Sequence, residues 1–125
     1  MSGRGRRVLV VEDDEAIRTM LAAVLTDEGY EVRTAGDGAA GIGALRGWHP
    51  DVIVLDVVMP EADAAVFRAV QVGLPGVADV PVVLVSATRA ADLAQVASEL
   101  GAAAALPKPL RIEELLTTVA RLIAR

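Results

Sequence analysis

The sequence predicts one α/β domain in which five short strands alternate with five helices. Three observations carry that expectation. Short runs of Val, Leu and Ile recur along the chain. Longer stretches with apolar residues at helical spacing separate them. The short runs are also almost continuously apolar, as strands are when both faces of a sheet are covered. Such an alternation gives a doubly wound parallel sheet, a (βα)5 arrangement.

Arg7 to Val11 reads as the first buried strand. Glu15 to Glu28 follows as a helix with Ile17, Leu21, Val24 and Leu25 on one face, and Gly29 stops it. Glu31 to Thr34 is a short second strand, and Asp37 to Leu45 a small helix rich in Ala and Gly. Val52 to Leu55 is the third strand. Met59-Pro60 marks a loop, and Ala62 to Gln71 a third helix. Pro81 to Val85 is the fourth strand, with its proline at the entry, where a missing N–H does least harm. Arg89 to Leu100 is the fourth helix, ended by Gly101, and Ala103 to Leu106 is a fifth strand of weak propensity. Arg111 to Ala124 closes the chain as an amphipathic helix striped by Ile112, Leu115, Leu116, Val119, Leu122 and Ile123. Residues 1–6 read as a flexible tail and 7–125 as the domain, with no linker or repeat between.

The 125 residues, 54% of them apolar, suffice for one hydrophobic core and argue against disorder. A net charge of −5 disfavours nucleic-acid binding, which needs a basic face. The cluster Arg4, Arg6, Arg7 lies in or beside the Gly-rich tail and suits a solvated segment. The chain has no cysteine, which removes disulfides, thiolate metal sites and Cys nucleophiles. Its one histidine, His49, precedes Pro50 in a loop, so neither a zinc site nor a His-dependent triad has support. Acids follow the first apolar run at once, which argues against a signal peptide, and no stretch reaches the length of a membrane span. A cytoplasmic location is expected, without membrane or direct nucleic-acid partners.

Open α/β sheets place their sites beyond the carboxyl ends of the strands. Glu12, Asp13 and Asp14 follow the first strand, Asp56 the third, Ser86 the fourth and Lys108 the fifth. Taken singly, each has an ordinary use. The first three acids suit a helix cap, Asp56 a loop, Ser86 a turn and Lys108 a solvated surface. Their joint placement on one rim points to chemistry. With Asp13 and Asp56 about 4–5 Å apart, their repulsion is roughly 3–4 kcal/mol at an effective dielectric near 20. A proton or a cation relieves it. Carboxylates without His or Cys favour a hard, oxygen-ligated ion such as Mg2+, which also takes phosphate oxygens. An aspartate beside it is placed to attack phosphorus and form an acyl phosphate. Lys108 is the sole lysine, against 11 arginines, and lies between Pro107 and Pro109. That pattern suggests a position requiring a compact ammonium rather than a planar guanidinium. Ser86 can donate to a phosphoryl oxygen, and together the two offset charge on a transferred group.

Four stretches resemble the signature segments of response-regulator receiver domains, in order and at family spacing. They are Val8-Leu9-Val10-Val11-Glu12-Asp13-Asp14-Glu15, Asp51-Val52-Ile53-Val54-Leu55-Asp56-Val57-Val58-Met59-Pro60, Pro81-Val82-Val83-Leu84-Val85-Ser86-Ala87 and Lys108-Pro109. The resemblance covers essentially the whole chain. It implies a flavodoxin-like sheet of order 2-1-3-4-5 and a switch in a two-component phosphorelay. It makes Asp56 the phosphoacceptor, Asp13 a direct ligand of Mg2+ (with Mn2+ as substitute), and Glu12 a ligand through water. The Val58 carbonyl completes the protein ligands, Ser86 and Lys108 contact the phosphoryl group, and the Lys108-Pro109 bond is cis. The donor is a sensor histidine kinase or phosphotransfer protein docking on the first helix, with Ile17, Met20 and Leu21 as candidate contacts.

Several positions depart from the family pattern. Ala105 stands where Tyr or Phe is usual, so the customary aromatic switch linked to Ser86 is absent or rebuilt. Ala102-Ala103-Ala104 follows Gly101 in place of a common acidic pair, which puts one familiar dimer mode in doubt. Ala64 replaces a frequent glycine. Val58 is apolar where a polar side chain often helps hydrolysis, which implies slow self-dephosphorylation. The leading expectation for output is a stand-alone receiver, monomeric or dimerising on phosphorylation, that binds an unknown target through its fourth and fifth helices. An excised piece of a longer regulator is the alternative. Two other readings stay open. A degenerate receiver would act as a phosphorylation-independent scaffold. A haloacid-dehalogenase-type phosphatase would need a second acid two residues after its nucleophile, where Val58 stands.

Overall fold

The computed structural model describes residues 5–57, 64–87 and 90–124. Five parallel strands form one sheet: β1 (Arg7–Val11), β2 (Glu31–Ala35), β3 (Val52–Asp56), β4 (Val82–Ser86) and β5 (Ala104–Pro107). Their order is β2-β1-β3-β4-β5. The helices are α1 (Glu15–Asp27), α2 (Gly38–Leu45), α3 (Ala64–Gln71), α4 (Ala90–Leu100) and α5 (Ile112–Ile123). The expected class and order are both present. Strand limits differ by a residue: β2 reaches Ala35, β3 includes Asp56, and β4 includes Ser86. The start of α3 expected at Ala62 lies outside the described residues.

Alternation along each strand divides the core in two. Val8, Val10, Val52, Val54, Val83 and Val85 face α1 and α5, meeting Leu21, Leu25, Leu115 and Val119. Leu9, Val11, Ile53, Leu55, Val82 and Leu84 face the other layer, meeting Leu45, Phe67 and Leu93 of α2, α3 and α4. Successive side chains point to opposite faces, so an apolar run supplies both layers at once. Helix starts are set locally. The Asp14 carboxylate accepts from the Ile17 N–H at 2.9 Å, and that of Asp37 from the Ala40 N–H at 2.8 Å. Gly29, at φ 98°, turns the chain out of α1 in a conformation that other residues rarely adopt.

At the amino-terminal edge of the sheet, Trp48 packs under two guanidinium groups, Arg7 at 5.4 Å and Arg33 at 5.0 Å from the ring centre. Its indole N–H donates to Glu31 at 3.2 Å. Arg6 pairs with Asp51 at 3.6 Å, and its carbonyl accepts from the Glu31 N–H at 2.8 Å. Arg6 and Arg7 thus make ion pairs along the sheet edge while their side chains stay about half exposed, at 50% and 42%.

Close packing of α2 makes one substitution informative. A Cβ on Gly41 would lie 2.8 Å from Phe67 and 3.0 Å from Val11, whereas one on Gly43 meets nothing within 4 Å. Gly41→Val is expected to destabilise the fold by roughly 1–3 kcal/mol through overpacking. Gly43→Ala should instead stabilise it by about 0.5–1 kcal/mol through helix propensity. Urea unfolding of both variants checks the contrast, and equal effects would contradict this packing.

Candidate functional site

Strand register brings the polar residues together. Val11 pairs with Leu55, so the next residues, Glu12 and Asp56, leave neighbouring strands at the same level. The order β2-β1-β3 reverses direction here, opening the crevice in which doubly wound sheets bind ligands. Across β3 and β4, Asp56 pairs with Val85. Across β4 and β5, Ser86 pairs with Pro107. The Lys108 N–H then donates to the Ser86 carbonyl at 2.8 Å, which pins the lysine beside β4. The Lys108-Pro109 bond is cis, as the resemblance implied.

Glu12, Asp13 and Asp56 each offer a carboxylate oxygen within 4.8 Å of the others. Glu12 and Asp56 are buried, and Asp13 is exposed. The Lys108 ammonium lies 3.0 Å from Glu12 Oε1 and 3.5 Å from Asp56 Oδ2. The other Glu12 oxygen accepts from the Asp14 N–H at 3.1 Å, so this carboxylate is fixed at both ends. Asp14 itself caps α1 and stays outside the cluster. Ser86 is buried at the end of β4, on the same rim. Val58 lies outside the described residues.

Three acids against one ammonium leave excess negative charge, and two of the acids, Glu12 and Asp56, are buried away from water. Burial and the neighbouring Glu12 charge push Asp56 up from 3.8 to about 7, with Lys108 opposing. For Asp13, hydrogen bonds with Asp56, Glu12 and its own main chain, helped by the Lys108 charge, outweigh burial and lower it. Burial acts to lower Lys108, but its bond to Glu12 and the charges of Asp56 and Glu12 prevail and raise it. The arrangement therefore holds a charged ammonium, an ionised Asp13 and an Asp56 that takes up a proton far more readily than an ordinary carboxylate. Oxygen-only donors, partly buried and crowded, fit a hard divalent cation such as Mg2+.

Beside the cluster is an apolar cavity of about 260 Å³ lined by Ile17, Met20, Lys108, Pro109 and Leu110. Of the expected docking contacts, Leu21 is only 1% exposed and belongs to the core, which removes it from that surface. Ala105, opposite Leu84, packs partly buried against the layer of α2, α3 and α4. Ala64 is buried at the start of α3, and its N–H donates to the Val57 carbonyl at 3.3 Å. Sequence reasoning missed Arg18, whose guanidinium reaches the main chain of the acid-bearing loop. Its spacing from Asp14, one helical turn, was the available signal.

Residues 8–120 match the family described as the response regulator receiver domain. The chain is 36% identical over 121 residues to the transcriptional regulatory protein PdtaR of Mycobacterium tuberculosis, covering 96% of this chain and 58% of that protein. It is 37% identical over 120 residues to the response regulator MprA of Mycobacterium avium, covering 95% and 51%. The chain thus spans just over half the length of these curated relatives. Among solved structures, the chemotaxis response regulator CheY4 of Vibrio cholerae superposes with a TM-score of 0.86 at 32% identity, over 94% of this chain and 98% of that one. A Francisella response-regulator receiver domain gives 0.89 at 26% identity, over 97% and 98%.

The crowded acids have a measurable consequence. Folded Asp56 binds its proton more tightly than the unfolded chain does, so its contribution to stability falls as pH rises from 3.8 through about 7. Asp56→Asn removes that loss. Near pH 8 the variant should exceed wild type in unfolding free energy by an amount on the order of 3 kcal/mol, with the gap closing toward pH 4. Denaturant unfolding across this range decides the matter, and parallel curves would show that Asp56 ionises freely.

Proposed function

Because the chain belongs to the response regulator receiver domain family, we propose that it works as a phosphorylation-dependent switch with Asp56 as the acceptor. One observation carries this reading: three carboxylates converge within 4.8 Å, two of them held by a single ammonium. Asp56, Asp13, Glu12 through water, and the Val58 carbonyl are the proposed holders of Mg2+, or of Mn2+ in its place. When bound, the cation would offset the charge of incoming phosphoryl oxygens.

The chain's own residues supply the rest. An Asp56 Oδ attacks the phosphorus of a phosphohistidine on a kinase or phosphotransfer protein. The new P–O bond forms as the P–N bond breaks, and the electron pair stays on the imidazole nitrogen. Lys108 moves from Asp56 toward the transferred group, and its contact with Glu12 keeps the ammonium charged throughout. Ser86, at the adjacent strand end, donates a hydrogen bond to a phosphoryl oxygen. The apolar cavity beside Lys108, with Ile17, Met20 and Leu110 on its walls, supports docking of the donor protein within reach of Asp56. Among the described residues, no helix is long and apolar enough to cross a membrane. The downstream partner is a protein, met through a surface altered by phosphorylation.

Incubation with acetyl phosphate and Mg2+, followed by intact mass, tests this reading. Wild type should gain one phosphate, and Asp56→Asn none. Chelation of the metal should abolish the gain. Lys108→Met should slow it roughly 100-fold, the usual scale for losing one donor to a charged transition state. A wild type that stays unmodified would favour the phosphorylation-independent scaffold to which Ala105 points.

A further inference from the structure

The loop that carries Glu12 and Asp13 has no regular hydrogen bonding of its own, so something must hold its main chain. Part of the answer is β2, since the Glu12 N–H donates to the Ala35 carbonyl at 3.0 Å. The rest comes from Arg18. Its NH1 donates to the Glu12 carbonyl at 2.9 Å and to the Asp13 carbonyl at 3.4 Å. These bonds go to the main chain, not to the carboxylates. Glu12 is thus gripped at its N–H, its carbonyl and both carboxylate oxygens. Asp13, exposed and next in the chain, takes its direction from the same clasp.

Gly36, just past β2, provides the room. A Cβ there would lie 3.2 Å from Arg18 NH1. Gly36 is not among the glycines with positive φ, so the backbone does not demand glycine at this position. The space it leaves is filled by the guanidinium.

We propose that Arg18 is a positioning residue for the divalent-cation site, fixing the carbonyls of Glu12 and Asp13 so that their side chains converge, and that Gly36 is the space that admits it. This rests on the reading of the acids as cation ligands. Electrostatics alone assigns the opposite sign. A guanidinium this close repels a cation, so its removal would tighten binding if charge were its only effect. A clasp that sets ligand geometry does the reverse, because losing a group that orients metal ligands weakens affinity.

Calorimetric titration of the folded chain with Mg2+ separates these cases, using wild type, Arg18→Met, Arg18→Lys and Gly36→Val. Arg18→Met should bind roughly 10-fold more weakly than wild type. Arg18→Lys, which keeps a donor, should recover most of the loss. Gly36→Val should weaken binding with every charge retained. Arg18→Met binding as tightly as wild type, or tighter, overturns the inference whatever Gly36→Val does. Should Arg18→Met fail to fold, Gly36→Val decides alone, since an exposed glycine of ordinary φ accepts a side chain. Unchanged affinity there then overturns it. A wild type that binds no Mg2+ removes the cation reading itself. Binding by wild type with unaffected variants removes only the role of Arg18.

Discussion

One ammonium among three carboxylates is the constraint on which this molecule turns. Lys108 reaches Glu12 and Asp56 but cannot neutralise both of them and Asp13 as well. Two charges in so small a region interact by several kcal/mol once water is thinned. The excess must go somewhere, and a proton on Asp56 or a cation between the acids are the two outlets. A site of this kind is poised rather than satisfied. The imbalance that costs stability in the resting chain is, on the proposed reading, what draws a cation and, through it, phosphate.

Holding such an arrangement requires a stiff support. The sheet supplies it by burying both faces, so that strand ends are set by register rather than by loop preference. Glu12 and Asp56 face each other because Val11 and Leu55 pair below them. Lys108 stands beside β4 because its own N–H is bonded to the Ser86 carbonyl. The chemistry thus depends on main-chain geometry laid down by apolar residues a few positions earlier.

Much of this was legible in the sequence, and the reason is periodicity. Short Val and Leu runs alternating with helical stretches read as strands covered on both sides, and α5 carries its stripe openly. Strand ends were less clear, since Asp56 and Ser86 are polar yet still pair in the sheet. The acid cluster was legible because each member directly follows, or ends, a recognisable run. Contacts made by long side chains were not. The Arg18 clasp, the stacking of Arg7 and Arg33 on Trp48, and the buried Gln71, whose amide donates to the Val77 and Val80 carbonyls at 3.0 and 3.1 Å, leave no periodic trace. Leu21 illustrates the same limit from the apolar side: spacing put it on the inner face of α1, and only packing shows how completely the core takes it.

The most direct test of the central claim follows the side-chain carboxyl carbon of Asp56 by NMR through a pH titration, without and with Mg2+. A midpoint near 7 is expected in the metal-free chain, falling into the ordinary carboxylate range once the cation is added. A midpoint already in that range without metal, and unmoved by its addition, would mean that the acids do not share one crowded field, and the proposed switch would lose its physical basis.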